Sequence, residues 1–123
     1  MKKDVFHAKW LEVFAGGISK SDIKKYVIAT GDCIWHIFSW ELAEKNRYLT
    51  GAEAEKAYDQ IDKRGAMYID WFEDDHTKDM TWDLDKADAL KKFVEVYVVG
   101  KDFQWTYIKT HESDCGPYFM MRK

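Results

Sequence analysis

Proline occurs once in 123 residues and cysteine twice. No apolar run approaches the eighteen or so residues that a membrane-spanning helix needs, so no membrane segment is expected. Cys33 and Cys115 stand far apart without flanking spacings, which excludes a disulfide framework and predicts reduced thiols in a cytoplasmic protein. Met1-Lys2-Lys3-Asp4 leads straight into an amphipathic pattern, with no apolar core or cleavage site of a secretory leader. Linkers, internal repeats and low-complexity tracts are absent, so residues 1–123 read as one domain, long enough to bury a core without staples. A net basic charge is missing too: the formal charge is −3. Phosphate binding needs the opposite sign, which argues against nucleic acid as a partner.

Aromatic residues are abundant: six Trp, seven Tyr and seven Phe are more than one small core hides completely. Trp and Tyr offer large contact area at little entropic cost, so either partly exposed core edges or a binding surface is expected. The acids are unevenly spread. Asp70, Glu73, Asp74, Asp75, Asp79, Asp83, Asp85 and Asp88 fall within nineteen residues, offset only by Lys78 and Lys86. A basic protein is the natural complement of such a stretch.

Asp4 is the expected cap of a first helix with Phe6, Trp10, Leu11, Val13 and Phe14 as its apolar stripe, closed by Gly16-Gly17. Ser19 with Asp22 resembles a capping box opening a second helix through Ile23, Tyr26 and Val27 to Gly31. The apolar run 33–38 reads as a buried strand, and Ser39 as the cap of a short turn. Thr50-Gly51-Ala52-Glu53 predicts another helix, with Ala54, Ala57, Tyr58 and Ile61 at helical spacing. Residues 66–72 alternate as a strand, and 73–83 read as a long loop. A helix from about Leu84 to Lys92 turns Leu84, Ala87 and Leu90 inward. Phe93–Val99 and Phe103–Lys109 form a hairpin about Gly100-Lys101-Asp102, with Phe103, Trp105 and Tyr107 on one face. Pro117 opens a final edge strand. The expected class is α+β: helices packed on a mainly antiparallel sheet of about four to five strands.

Two constellations carry candidate chemistry. Cys33, His36, His111 and Cys115 are zinc-type ligands, but on a strand Cys33 and His36 would face opposite ways, so no metal and no cofactor is expected. His111, Glu112, Asp114 and Cys115 share the loop before Gly116-Pro117. They form either a structural loop, with His111 donating to a backbone carbonyl, or a thiol with a nearby base and carboxylate. The structural reading predicts a loss of about 1 kcal/mol or more when His111 or Glu112 becomes Ala. For the acidic stretch the alternatives are a solvated face, a partner face or a hard-cation site lacking calcium-loop spacing. Interleaved Trp71, Phe72 and Trp82 favour the partner face: Asp70, Glu73, Asp74, Asp75, Asp79 and Asp83 steer, while Trp71 and Trp82 anchor.

Ile34-Trp35-His36-Ile37-Phe38-Ser39 and the closing signature Trp105-Thr106-Tyr107, Thr110-His111-Glu112, Gly116-Pro117-Tyr118-Phe119 resemble the bacterial family termed domain of unknown function 4275, over roughly residues 30–120. The resemblance implies a fold and a signature loop, not a catalytic role. Small acidic proteins of this kind are similar in size and charge to immunity proteins and phage-encoded inhibitors. The reading is therefore a non-enzymatic protein that blocks a basic effector by steric and electrostatic occlusion. The alternatives are a small-molecule binder or enzyme using His111, Glu112 and Cys115, and a self-associating domain.

Overall fold

Phe6, Trp10 and Phe14 recur every four residues and bury one stripe of α1 (Lys3–Phe14), which ends at Ala15 before the glycine pair. The helix starts on Lys2 with no side-chain cap; Asp4 lies inside the first turn, where its carboxylate accepts from the Val5 N–H at 2.9 Å. The computed structural model describes all residues, Met1 to Lys123. In α2 (Lys20–Tyr26) the expected cap is present: the Ser19 hydroxyl accepts from the Asp22 N–H at 3.2 Å. A 3-10 turn over Ile28–Thr30 carries the chain to Gly31, whose φ of 92° suits glycine.

The run 33–38 is not a strand. It is a turn leading into α3 (His36–Ser39), with Ser39 as the last helical residue rather than a cap. Ile34, Ile37 and Phe38 stand at i, i+3 and i+4 and are all buried, a helical period that a six-residue apolar run conceals. Cys33 and His36 therefore do not alternate across a strand, and both approach Thr30. The His36 Nδ1 lies 2.8 Å from the Tyr26 carbonyl and 2.9 Å from the Thr30 hydroxyl, and the Cys33 thiol faces the Thr30 carbonyl at 3.7 Å.

Next come β1 (Tyr48–Thr50) and α4 (Ala52–Gln60), whose Ala54 and Tyr58 are buried. Thr50 belongs to β1, and Gly51 caps α4 without a side-chain bond, so the expected capping box does not form. β2 (Met67–Asp70) and the two-residue β3 (Lys78–Asp79) follow, β3 lying inside the expected loop. The expected helix over 84–92 is instead two 3-10 segments, Trp82–Leu84 and Ala87–Lys92, interrupted at Asp85-Lys86. Leu84, Ala87 and Leu90 nonetheless point inward as expected. β4 (Val96–Val99), β5 (Trp105–Lys109) and β6 (Tyr118–Met121) complete the chain.

The fold is α+β, with six antiparallel strands in the order β1-β6-β5-β4-β2-β3. The sheet gains the short edges β1 and β3, and β6 lies between β1 and β5 instead of at an edge. Helices cover both faces, so β4 is buried throughout. Tyr97, Val99, Ile108 and Tyr118 meet α1 and the Ile34–Phe38 segment, while Val96, Val98, Trp105 and Tyr107 meet α4 and the 3-10 segments. Trp105 and Tyr107 share a face as expected, but Phe103 packs on the opposite side. It precedes β5 in a turn at φ 54°, where strand alternation has not begun. Trp10 ties the α1 layer to the sheet: its indole N–H donates to the Thr106 hydroxyl at 2.9 Å, and that hydroxyl donates to the Val98 carbonyl.

Candidate functional site

The acidic stretch divides into inward and outward residues. Trp71 is only 7% exposed and joins the core, with His7 stacked at 5.8 Å, Tyr97 edge-on at 4.9 Å and the Lys3 ammonium 4.2 Å from its ring centroid. It is withdrawn from any partner surface, because the alternation that carries Ile69 inward continues to Trp71. Asp74 is a turn clamp: its carboxylate accepts from the Asp70 N–H at 3.1 Å and pairs with Lys78 at 3.2 Å. Burial, with Asp74 nearby, raises the Asp70 carboxyl above its ordinary value.

Glu73, Asp75, Asp79, Trp82 and Asp83 face solvent. His76 pairs with Asp75 at 2.8 Å and lowers its carboxyl; the Thr81 hydroxyl lowers that of Asp83. Trp82 is 90% exposed. Its turn is firmly held, because Leu84 is buried and its carbonyl accepts from the Tyr58 hydroxyl at 2.6 Å. The Ala87 N–H donates to Asp59, and Lys63, itself buried, pairs with Asp85 at 3.4 Å. Phe72, 56% exposed, follows the other end of β2. Trp82 follows β3, whose Asp79 pairs with Met67 at the opposite end of β2, so the two aromatics leave the strand from different ends.

The closing loop is organised by a residue that the sequence reading passed over. Glu95 is fully buried, and its carboxylate accepts from the Tyr97 hydroxyl at 2.6 Å, the His111 backbone N–H at 3.2 Å and the His111 Nδ1 at 2.7 Å. The expected backbone-carbonyl partner of His111 is thus a carboxylate sixteen residues away. One signal was available: a single acid inside the otherwise apolar run Val94-Glu95-Val96-Tyr97 demands a buried partner. Trp35 and Phe72 stand edge-on to the His111 ring at 5.6 and 5.8 Å. The loop turns on Thr110, whose hydroxyl lies against the carbonyls of Glu112 and Cys115. Asp114 is exposed beside a shallow cleft that also includes Lys45 and Tyr118.

His111, Glu112 and Cys115 do come together, but not as a nucleophile with its base. Glu112 stands between the others, 3.8 Å from His111 Nε2 and 3.7 Å from the Cys115 sulfur. Burial and the Glu112 carboxylate raise the Cys115 thiol, and burial with Glu95 raises that of Cys33, opposite to what an activated thiolate requires. No three His, Cys, Asp or Glu side chains converge closely enough to share a metal ion. No helix is long and apolar enough to cross a membrane.

Over residues 3–119 the sequence matches the family described as Domain of unknown function (DUF4275). The chain belongs to this family. The match begins at α1, so it reaches well ahead of the expected start near residue 30. Neither the curated proteins nor the solved structures gave a match.

Within this DUF4275 domain, one further cleft of about 650 Å³ opens beside the first turn of α1, between Asp32 and the Asp75-His76 turn. Its aromatic wall, Trp71, is already covered by Lys3 and His7. The His7 Nε2 is buried without a hydrogen-bond partner, and burial lowers its pKa from the ordinary 6.5, with Asp32 opposing and Lys3 reinforcing the shift. The folded protein therefore binds fewer protons at this site than the unfolded chain in mildly acid solution. Stability from this site is complete above about 6.5 and is lost as pH falls through the lowered folded-state value. Thermal unfolding between pH 8 and pH 5 should show a midpoint that falls with acidification, with a smaller fall in His7→Phe. An identical pH slope in the variant would assign the effect elsewhere.

Proposed function

We propose that this chain is a non-enzymatic binding protein of the immunity or inhibitor type, which occludes a basic site on a partner through the surface around Trp82. The observation that carries the reading is Trp82 itself, 90% exposed on a turn whose neighbours are tied down. An indole left in water contributes little to folding, and Trp is strongly enriched among the residues that dominate binding energy. Exposed Asp79, Asp83, Asp85 and Asp88 surround it in sequence, with Lys78 and Lys86 as the intervening cations. Glu73 and Asp75, at the far end of β2, add to the long-range field that draws a basic partner in. Asp70, Trp71 and Asp74 support the turn instead of touching the partner.

The test begins with a partner recovered from the native host on the tagged protein, followed by binding kinetics at two salt concentrations. Trp82→Ala should leave thermal stability within about 0.5 kcal/mol. It should accelerate dissociation by about thirtyfold, the equivalent of a hot spot of about 2 kcal/mol. Asp79→Asn with Asp83→Asn should slow association several-fold, most strongly at low salt, where screening is weakest. Recovery of no partner, or of one indifferent to both changes, removes the inhibitor reading.

A further inference from the structure

A separate cleft of about 330 Å³ lies at the other end of α1, between its C-terminal turn, the turn through Leu42 and Ala43, and β6. Phe14, Ile18, Leu42 and Met120 make its walls, and Gly16 and Gly17 leave its lip without side chains. The walls are held in place: the backbone N–H groups of Leu42 and Ala43 both donate to the Ile37 carbonyl, and Phe14 and Met120 belong to the core. Two cations stand among the lining residues, Arg47 and Lys123, against one acid, Glu44. Neither cation forms an ion pair within the molecule. Arg47 donates from one guanidinium nitrogen to the Met121 carbonyl at 3.2 Å, which leaves most of its donors free. A cleft with apolar walls and an Arg47 guanidinium whose remaining donors are unpaired favours an apolar chain ending in an acid over one ending in a base.

We propose that this cleft binds a small amphiphilic carboxylate, an aliphatic acid whose chain lies against Phe14, Ile18, Leu42 and Met120 and whose carboxylate meets Arg47 and Lys123. Its volume sits at the small end of the range for ligand pockets, about 300–1,000 Å³, which favours a chain of modest length over a full lipid. The guanidinium fork matches a carboxylate in geometry as well as charge. The cleft shares no residue with the Trp82 surface.

The test titrates octanoate, octanol and octylamine, three eight-carbon probes differing in head group, against the full chain, and reads the methyl resonances of Leu42, Ile18 and Met120. Octanoate should give saturable shifts at these methyls, with octanol about tenfold weaker and octylamine weaker still. Arg47→Gln combined with Lys123→Gln should weaken octanoate about tenfold, leave octanol unchanged and keep the unfolding temperature close to that of the parent. Ile18→Trp, which fills the cleft, should abolish shifts from octanoate and octanol alike. Equal binding of the three probes, shifts confined to another surface, or no saturation at millimolar octanoate would overturn the proposal. If the double variant unfolds early, Lys123→Gln alone decides: unchanged octanoate affinity counts against the assignment, and a selective loss supports it.

Discussion

His111→Ala should lower the stability of this protein by about 2–3 kcal/mol, above the loss expected for an ordinary loop hydrogen bond, because it strips a fully buried carboxyl group of one of its three donors. Glu95 has no exposure, and its hydrogen-bond donors are the Tyr97 hydroxyl and the backbone and ring nitrogens of His111. Removing the imidazole takes away its ring contact with that carboxyl group while the burial penalty remains. The figure is held below the extreme for buried pairs because the His111 side chain is 35% exposed, which lets water relieve part of the loss. Glu95→Gln should reduce the penalty, since a buried amide costs less to leave partly unpaired than a buried acid. Denaturant unfolding of both single variants and the double variant measures the coupling. The double should be destabilised by at least 1 kcal/mol less than the sum of the singles, as contacting groups are when they share one penalty. Simple additivity would show that the pair does not act as a unit.

Gly100→Ala should be at least as damaging, by about 3 kcal/mol, through crowding of the turn. A Cβ at this position would stand 2.2 Å from the Trp105 indole nitrogen and 2.6 Å from its Cδ1. The indole cannot swing aside, because Phe119 stacks on it at 5.8 Å and Tyr58 meets it edge-on at 5.9 Å. Gly100 cannot easily retreat either: its N–H donates to the Trp105 carbonyl and its carbonyl accepts from the Phe103 N–H. Urea unfolding should show the loss, and Trp105→Leu in the Gly100→Ala background should recover part of it. Gly17→Ala is the control, since nothing lies within 4 Å of its added methyl and the change should fall within about 0.5 kcal/mol. A Gly100→Ala protein as stable as the parent would mean that the turn before β5 is softer than its contacts imply.

Local spacing was a good guide to which residues turn inward and a poorer one to helix ends: the Ser19 cap forms, whereas the Asp4 cap and the Thr50 capping box do not. The stripe Phe6, Trp10, Phe14, the Ser19 cap and the inward set Leu84, Ala87, Leu90 depend on spacings of three and four residues, and each is where that spacing puts it. The paired strands β4 and β5 were legible for the same reason, as was the α+β class. Residues 33–38 failed because a run apolar at nearly every position has no readable period, so the layer it packs on decides its shape. Phe103 departs from the expected face because strand alternation begins only at Trp105, after a turn at positive φ. The candidate site was least legible of all. Which acids face water, that Trp71 is core and Trp82 is not, and that His111 answers to Glu95 all follow from contacts between segments far apart in the chain. By itself the sequence determined the helical stripes, the central strand pair, the sign of the acidic stretch and the family. The tertiary structure alone decided which side chains are left over for a partner, because exposure belongs to the packed layers and not to any residue type.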